Sequence, residues 1–373
     1  MKASIYVHVP FCHQKCFYCD FESYAGKIQH ADSYIDRVLD EAKEAKKEYG
    51  SFGVPSVFIG GGTPSLLKKE QIERILFSLS DFFSFDKDIE ITMEANPGTV
   101  DREKLSYIKK AGVNRISFGA QAAQDGILSS LGRIHRWKDV ETAVRYAQDA
   151  GIENINVDLM YALPGQTMDD FVSSIQMALD LNIRHISMYS LILEEGTPLF
   201  ERAQRGEVMI PGDDESVRMQ ERAILEIEKR GMKRYEISNY AYPAYECRHN
   251  IVYWTRGNYL GLGCAAHSLM NEERFSNPKF SSYMNGAHHI DREKIDEYGK
   301  IEETVMLETR MTRGLDAEAF SKSFGREITK KILKAADELI LRGYAKYDGK
   351  YLSFTREGMN IQNALIVKLL EKI

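Results

Sequence analysis

Along roughly the first 230 residues, short runs rich in Val, Ile and Phe alternate with longer amphipathic stretches, and no other feature restricts the fold as strongly. Strands are expected at Ile5–Val9, Ser56–Gly60, Asp88–Glu94, Arg115–Gly119, Asn154–Met160 and His185–Leu191. Helices are expected near 32–49, 68–83, 101–111, 137–150, 168–181 and 213–230. The first carries Ile35, Val38, Leu39, Ala42 and Ala45 on one face, with Asp32 as its N-cap. Several strands read as apolar on both faces, the pattern of a parallel sheet covered by helices. Six such units imply a parallel α/β architecture, as an open sheet or an incomplete barrel. In both, chemistry gathers beyond the C-terminal ends of the strands. The cysteines follow the first strand, and Gly60-Gly61-Gly62-Thr63-Pro64 follows the second. Glu94 ends the third, Gln121 follows the fourth, and Asp158 lies near the end of the fifth. Residues scattered in sequence are therefore expected on one rim.

The rhythm stops after about residue 231. The stretch YEISNYAYPAYECRHNIVYWTRGNYLGLGCAAHS is crowded with aromatics and glycines and reads as an irregular, functional connection. From about 291 the pattern turns helical again, at 300–311, 316–323 and 326–342. Tyr344–Tyr347, a turn at Asp348-Gly349 and Tyr351–Phe354 then complete a small, mostly helical, winged-helix-like appendage. The expected division is 1–230, 231–290 and 291–373. No basic recognition stripe accompanies the appendage, which favours a structural or partner role over DNA binding.

Three of the five cysteines, Cys12, Cys16 and Cys19, crowd into the loop after the first strand. The formal charge of −6 argues against broad nucleic-acid binding. No apolar run approaches the roughly 20 residues that span a bilayer, and MKASIYVHV reads as a buried strand with no signal-peptide core. A cytoplasmic location is expected, with peripheral membrane contact left open. There thiols stay reduced, and clustered cysteines bind metal more often than they pair. Three thiolates could hold zinc, with His13 as fourth ligand in a closed structural site. They could equally hold three irons of a [4Fe–4S] cube and leave the fourth iron open. Spacing alone does not choose.

The run Cys12-x3-Cys16-x2-Cys19, with Tyr18 before the last cysteine, resembles the radical S-adenosylmethionine (SAM) superfamily. Gly61-Gly62-Thr63-Pro64 resembles that superfamily's motif for holding the SAM amino group. Over essentially the whole chain, IYVHVPFC, FIGGGTPSLL, EANPGTV, RISFGAQ and NVDLMYALPGQT resemble one subfamily. It comprises oxygen-independent coproporphyrinogen III oxidase (HemN) and the haem chaperones (HemW). The resemblance implies an α/β fold built as a partial (β/α)6 radical-SAM barrel, with a [4Fe–4S] cluster on Cys12, Cys16 and Cys19. It further implies SAM contacts from Tyr6, Tyr18, Gly61, Gly62, Thr63, Glu94, Gln121, Arg133 and Asp158. Each role is chemically sensible: Glu94 and Asp158 can accept from an ammonium or ribose hydroxyls, Arg133 can meet a carboxylate, and Tyr18 can pack on adenine.

Two features separate the branches. The oxidase carries a further cysteine two residues after the last motif cysteine, where this chain has Phe21, and this chain begins almost directly at the first strand. The segment His249-Asn250-x-x-Tyr253-Trp254 resembles the HNxxYW motif associated with haem in the chaperone branch. Imidazole is a good axial ligand and aromatics can shield a porphyrin face. Cys264 reads either as a second haem ligand or as a small buried residue, and His267 is equally open. The resemblance thus implies a haem chaperone that binds the cluster, SAM and haem and delivers haem to acceptors such as respiratory enzymes. It also implies a homodimer and transient membrane association. The alternatives are oxidative decarboxylation of coproporphyrinogen propionates, and a zinc-stabilised protein without redox chemistry. SAM turnover is left open.

Overall fold

Each of the six expected strands is present in the computed structural model, which describes residues 1–287 and 289–371. β1 (Ser4–Val9), β2 (Gly53–Gly61), β3 (Ser84–Ala95), β4 (Arg115–Gln121), β5 (Asn154–Tyr161) and β6 (His185–Ser190) lie side by side in that order. Every neighbouring pair is parallel. The crossovers carry α1 (Ala31–Tyr49), α2 (Lys69–Phe82), α3 (Arg102–Lys110), α5 (Trp137–Asp149) and α6 (Met168–Asp180), within two residues of expectation. α4 (Asp125–Ser130) and α7 (Pro198–Gln204) are additional; neither is long enough to display a helical period. α8 (Asp213–Lys229) follows β6 and packs beside α6. The six-strand run is a partial barrel.

Two details of the sequence reading change. α1 starts one residue early, so Asp32 sits in its first turn and accepts from Gln71 Nε2 at 2.8 Å instead of capping the helix. The strands are also not apolar on both faces. Val57, Ile59, Ile91, Ile116, Val157 and Ile186 face the helices and form the core. The opposite positions carry Ser4, Ser56, Glu90, Arg115, Ser117, Asn156, Asp158, His185 and Ser187, largely buried. On that concave face polar side chains fill the space and satisfy one another across the strands.

The stretch expected as an irregular connection adds six strands to the same twelve-stranded sheet. β7 (Lys233–Arg234) and β8 (Asn239–Ala241) extend it antiparallel beyond β6. β9 (Tyr259–Leu262) joins the other side parallel to β1, followed by antiparallel β10 (His267–Met270), β11 (Glu273–Ser276) and β12 (Ile290–Lys294). The glycines that mask this pattern permit close strand approach: a Cβ on Gly261 would lie 2.2 Å from the His267 carbonyl oxygen. Between the two groups, α9 (Arg248–Trp254) packs against β2, and α10 (Phe280–Met284) precedes β12.

The C-terminal part has its own small apolar core, including Val305, Phe320, Ile332, Leu339, Leu352 and Phe354. It comprises α11 (Glu297–Glu308), β13 (Leu315–Asp316), α12 (Ala317–Phe324), α13 (Arg326–Leu341), β14 (Ala345–Tyr347), β15 (Tyr351–Phe354), α14 (Arg356–Asn360) and α15 (Gln362–Leu370). The strands form a sheet in the order β13-β15-β14, with the hairpin turn at Asp348-Gly349. Among the described residues, no helix is long and apolar enough to cross a membrane.

Candidate functional site

Beyond β1, Phe11–Cys12 pairs with Tyr24–Ala25 and closes the loop that carries Cys12, Cys16 and Cys19. All three thiols are free and half-buried. The glycine loop after β2 is tied to the base of this loop: Gly62 N–H donates to the Val9 carbonyl and Thr63 N–H to that of Phe11, each at 2.8 Å. Thr63 Oγ1 points to Cys12 Sγ at 3.6 Å. A Cβ on Gly62 would meet the Phe11 and Val9 carbonyl oxygens at 2.8 and 2.9 Å and Cys12 Sγ at 3.1 Å, so only glycine leaves room here. Arg133 donates to Cys16 Sγ at 3.4 Å and to the Gly119 carbonyl. Burial pushes the Cys19 thiol up, and Cys16 and Cys12 add to that rise. Three free thiols on one loop, beside a cradle without side chains, fit a [4Fe–4S] cluster.

Next to the thiols stand two buried carboxylates. Glu94, at the end of β3, accepts from Gly61 N–H at 3.0 Å. Burial, with Asp158 as a second cause, raises its carboxyl to about 8. Asp158 is also raised by burial, offset by hydrogen bonds from Ser187, Ser117 and Asn156. Two carboxyls raised by burial in one low-dielectric site are discharged most readily by a cation between them. Gln121 has a left-handed backbone (φ 66°), and its side chain folds back beside Gly119, where an added Cβ would lie 2.9 Å from Nε2 and 3.2 Å from Arg133. Tyr18 packs near an apolar cluster that includes Leu131, Leu163 and Leu191. Tyr6 lies deeper and donates to Nδ1 of His8 at 3.0 Å, because His8 Nε2–H is given to the Glu22 carbonyl. The structure thus brings the three cysteines, Gly61, Gly62, Thr63, Glu94, Gln121, Arg133 and Asp158 to one rim, with Tyr18 at its edge and Tyr6 below.

The motif His249-Asn250-x-x-Tyr253-Trp254 lies elsewhere. It forms α9, which plugs the opposite end of the partial barrel, near the N-terminal ends of the strands. His249 is 1% exposed and both ring nitrogens are engaged, Nδ1 with Ser56 Oγ at 2.9 Å and Nε2 with Tyr253 OH at 2.9 Å. Burial, then Arg115, lowers its pKa to about 3, so the ring is neutral with a single lone pair. Asn250, Tyr253 and Trp254 are half-buried. Glu90 receives the helix N-terminus, accepting from Arg248 N–H and His249 N–H at 3.0 Å each and from the Cys247 thiol at 3.5 Å. Cys264 is fully buried against Tyr34 OH, and its thiol is pushed up to about 12 by burial; His267 is exposed. Glu90, Ser56, Asn156, His185 and Tyr235 escaped the sequence reading. The available signal was period-two polarity, as in Glu90-x-Thr92-x-Glu94, Asn154-x-Asn156-x-Asp158 and His185-x-Ser187.

Comparison with known proteins identifies the family and the fold. The sequence model of the Radical SAM superfamily matches residues 6–178, and that of the HemN C-terminal domain matches 297–361. The heme chaperone HemW of Bacillus subtilis is 34% identical over 367 residues, covering 96% of this chain and 97% of the relative. HemW of Escherichia coli is 32% identical, with 97% of each chain covered. The solved structure of coproporphyrinogen III oxidase (HemN) from Escherichia coli, a radical SAM enzyme, superposes with a TM-score of 0.85 at 22% identity, covering 100% of this chain and 90% of that one. That likeness is one of fold.

Proposed function

The chain belongs to the heme chaperone HemW family within the radical SAM superfamily, and from that premise we propose that it carries haem to acceptor proteins. The observation that supports this reading over the oxidase is sequence identity: the chaperones align along nearly the whole chain at above 30% identity, against 22% for the oxidase over the same length. Phe21, in place of a further cysteine, agrees with it. On this reading residues 1–230 hold the cluster and SAM, 231–290 carry the haem motif, and 291–373 form a separate C-terminal unit.

Cys12, Cys16 and Cys19 would hold a [4Fe–4S] cluster, which supplies an open iron site for SAM and an electron when reduced. Gly61, Gly62 and Thr63 present backbone to the ligand, and Glu94 exchanges its proton for the ligand's ammonium. Asp158 accepts ribose hydroxyls, Arg133 turns from Cys16 to a carboxylate, Gln121 closes over Gly119, and Tyr18 and Tyr6 bound the site. For haem, His249 is the proposed ligand, with Asn250, Tyr253 and Trp254 around the porphyrin. Its one lone pair is held by the hydroxyl of Ser56 or of Tyr253 and the ring is enclosed, so iron ligation requires that hydroxyl to let go and the ring to be uncovered, which a shift of α9 from its seat would do.

A haem titration tests the ligand. His249→Ala should lose most of the Soret change, whereas Ser56→Ala, which removes the partner on the other side of the ring, should keep it. Equal loss in both variants would mean that the imidazole only seats α9. The proposed acceptors are respiratory enzymes at the membrane, and the proposed working form is a homodimer in peripheral membrane contact. Light scattering and vesicle co-sedimentation, with and without haem, check the last two; a monomer that never sediments would refute them.

A further inference from the structure

A row of hydrogen bonds crosses the partial barrel from α9 to the rim, and every donor in it points the same way. Cys247 N–H donates to the Tyr235 hydroxyl oxygen at 3.2 Å. That hydroxyl donates to Nε2 of His185 at 2.8 Å, and Nδ1–H of His185 donates to Oδ1 of Asn156 at 2.6 Å. Nδ2–H of Asn156 donates in turn to Oδ1 of Asp158 at 2.8 Å. The directions follow from the chemistry of each group. An amide oxygen only accepts, so Nδ1 must carry the hydrogen of His185. Burial and the Arg115 charge keep that ring neutral, so Nε2 accepts and Tyr235 donates. The Tyr235 oxygen is then free to take the backbone N–H. Tyr235, His185 and Asn156 are buried, and Arg115 lies beside the row, its charge acting on Tyr235 and Asp158. Bonds aligned in this sense polarise one another.

Buried polar filler would satisfy its atoms in any direction. This row runs in one direction, with Ser117 and Ser187 branching from Asn156 Nδ2 at 2.6 and 3.0 Å, and it ends at a carboxylate on the rim and at the N–H of Cys247, the N-cap residue just before the helix that carries His249. We propose that Asn156, His185 and Tyr235 are positioning residues for Asp158, and that through them SAM and haem oppose each other's binding. This rests on the readings that Asp158 holds SAM and His249 takes haem. The sign follows from the geometry. The His249 ring faces Ser56 inside the barrel and is 1% exposed, so haem reaches it when α9 leaves its seat, and that movement draws the Cys247 N–H off Tyr235.

The test uses the full chain with its cluster reconstituted anaerobically, measuring SAM affinity with and without haem and haem affinity with and without SAM. In the wild type each ligand should weaken the other by the same factor, about fivefold or more, since linkage is reciprocal. Tyr235→Phe should bring that factor to near one and, as Tyr235 helps to position Asp158, should also weaken SAM alone by severalfold. His185→Ala should weaken SAM alone by about tenfold, and His185→Asn, whose amide N–H can still reach Asn156, should restore most of it. Cluster content and melting temperature identify any variant that has failed to fold, and the Asn variant carries the test if the Ala variant does. A wild-type factor of one, a factor unchanged in Tyr235→Phe, or His185→Ala with wild-type SAM affinity would overturn the proposal. A chain that binds SAM but no haem would sink the haem reading and the coupling together, and the two His185 variants would still decide the positioning role. A cluster-loaded chain that binds no SAM would refute the rim assignment itself.

Discussion

Burial raises the Glu94 carboxyl to about 8, so at neutral pH it keeps its proton until a cation displaces it. Binding of SAM through its ammonium therefore releases a proton, and affinity should rise with pH up to about 8 and level off above it. Calorimetry in buffers of different ionisation enthalpy measures that proton; Glu94→Gln should abolish both the release and the pH dependence. Linkage sets the sign for stability as well. The folded state holds this proton between the ordinary carboxyl value of 4.5 and about 8, while the unfolded chain has lost it. Stability of the SAM-free protein thus falls as pH rises through that window, and Glu94→Gln should melt higher than wild type at pH 8 and not at pH 4. A wild-type melting temperature flat from pH 5 to 8 would contradict this. Glu94 itself was legible in the sequence because a strand-end position marks the rim of any parallel α/β sheet. Its charge state was not, because that depends first on burial and then on Asp158, which is distant in the chain and is brought near only by the folded sheet.

At the scale of one element, α9 shows why a motif can be recognised and its setting missed. Seven residues between two glycine- and aromatic-rich stretches carry no period, and a histidine among aromatics is read as exposed ligand or buried core from the same letters. The deciding partners, Ser56 and Glu90, sit on strands more than 150 residues away. The longer helices were legible since their apolar stripes repeat for several turns, as in α1. The strands of 231–290 were not, because they are two to five residues long and only Asn239–Ala241 and Tyr259–Leu262, which pair with strands far away in the chain, anchor the rest. Glu90 is the element's main fastening: a single carboxylate takes two N–H groups at the helix start and a thiol. Glu90→Gln turns an amide N–H towards those donors, and should cost about 2 kcal/mol in denaturant-induced unfolding. A loss below about 0.5 kcal/mol would show that the helix is seated by packing alone.

On the scale of the whole molecule, the C-terminal part grips the other end of that helix. Arg256 follows α9 in a left-handed conformation (φ 52°), and its side chain is 8% exposed. It meets Glu303 of α11 at 2.7 Å and Glu272 at 2.7 Å, and Glu303 also holds Arg274 at 2.6 Å. A buried guanidinium that loses a partner is costly, so Glu303→Ala should destabilise the chain by about 3 kcal/mol. Because Arg256 is largely enclosed, added salt should screen little of this. The same substitution should make haem bind more tightly, by severalfold. If His249 reaches iron only when α9 has left its seat, wild-type affinity is reduced by the small fraction of molecules already unseated, and weakening the clamp enlarges that fraction. Lower stability with higher ligand affinity is the opposite of what damage to a preformed site would do. Haem titration of Glu303→Ala beside wild type separates the two: a weakened Soret response would mean that α9 takes haem where it lies, and that the clamp holds the site instead of guarding it.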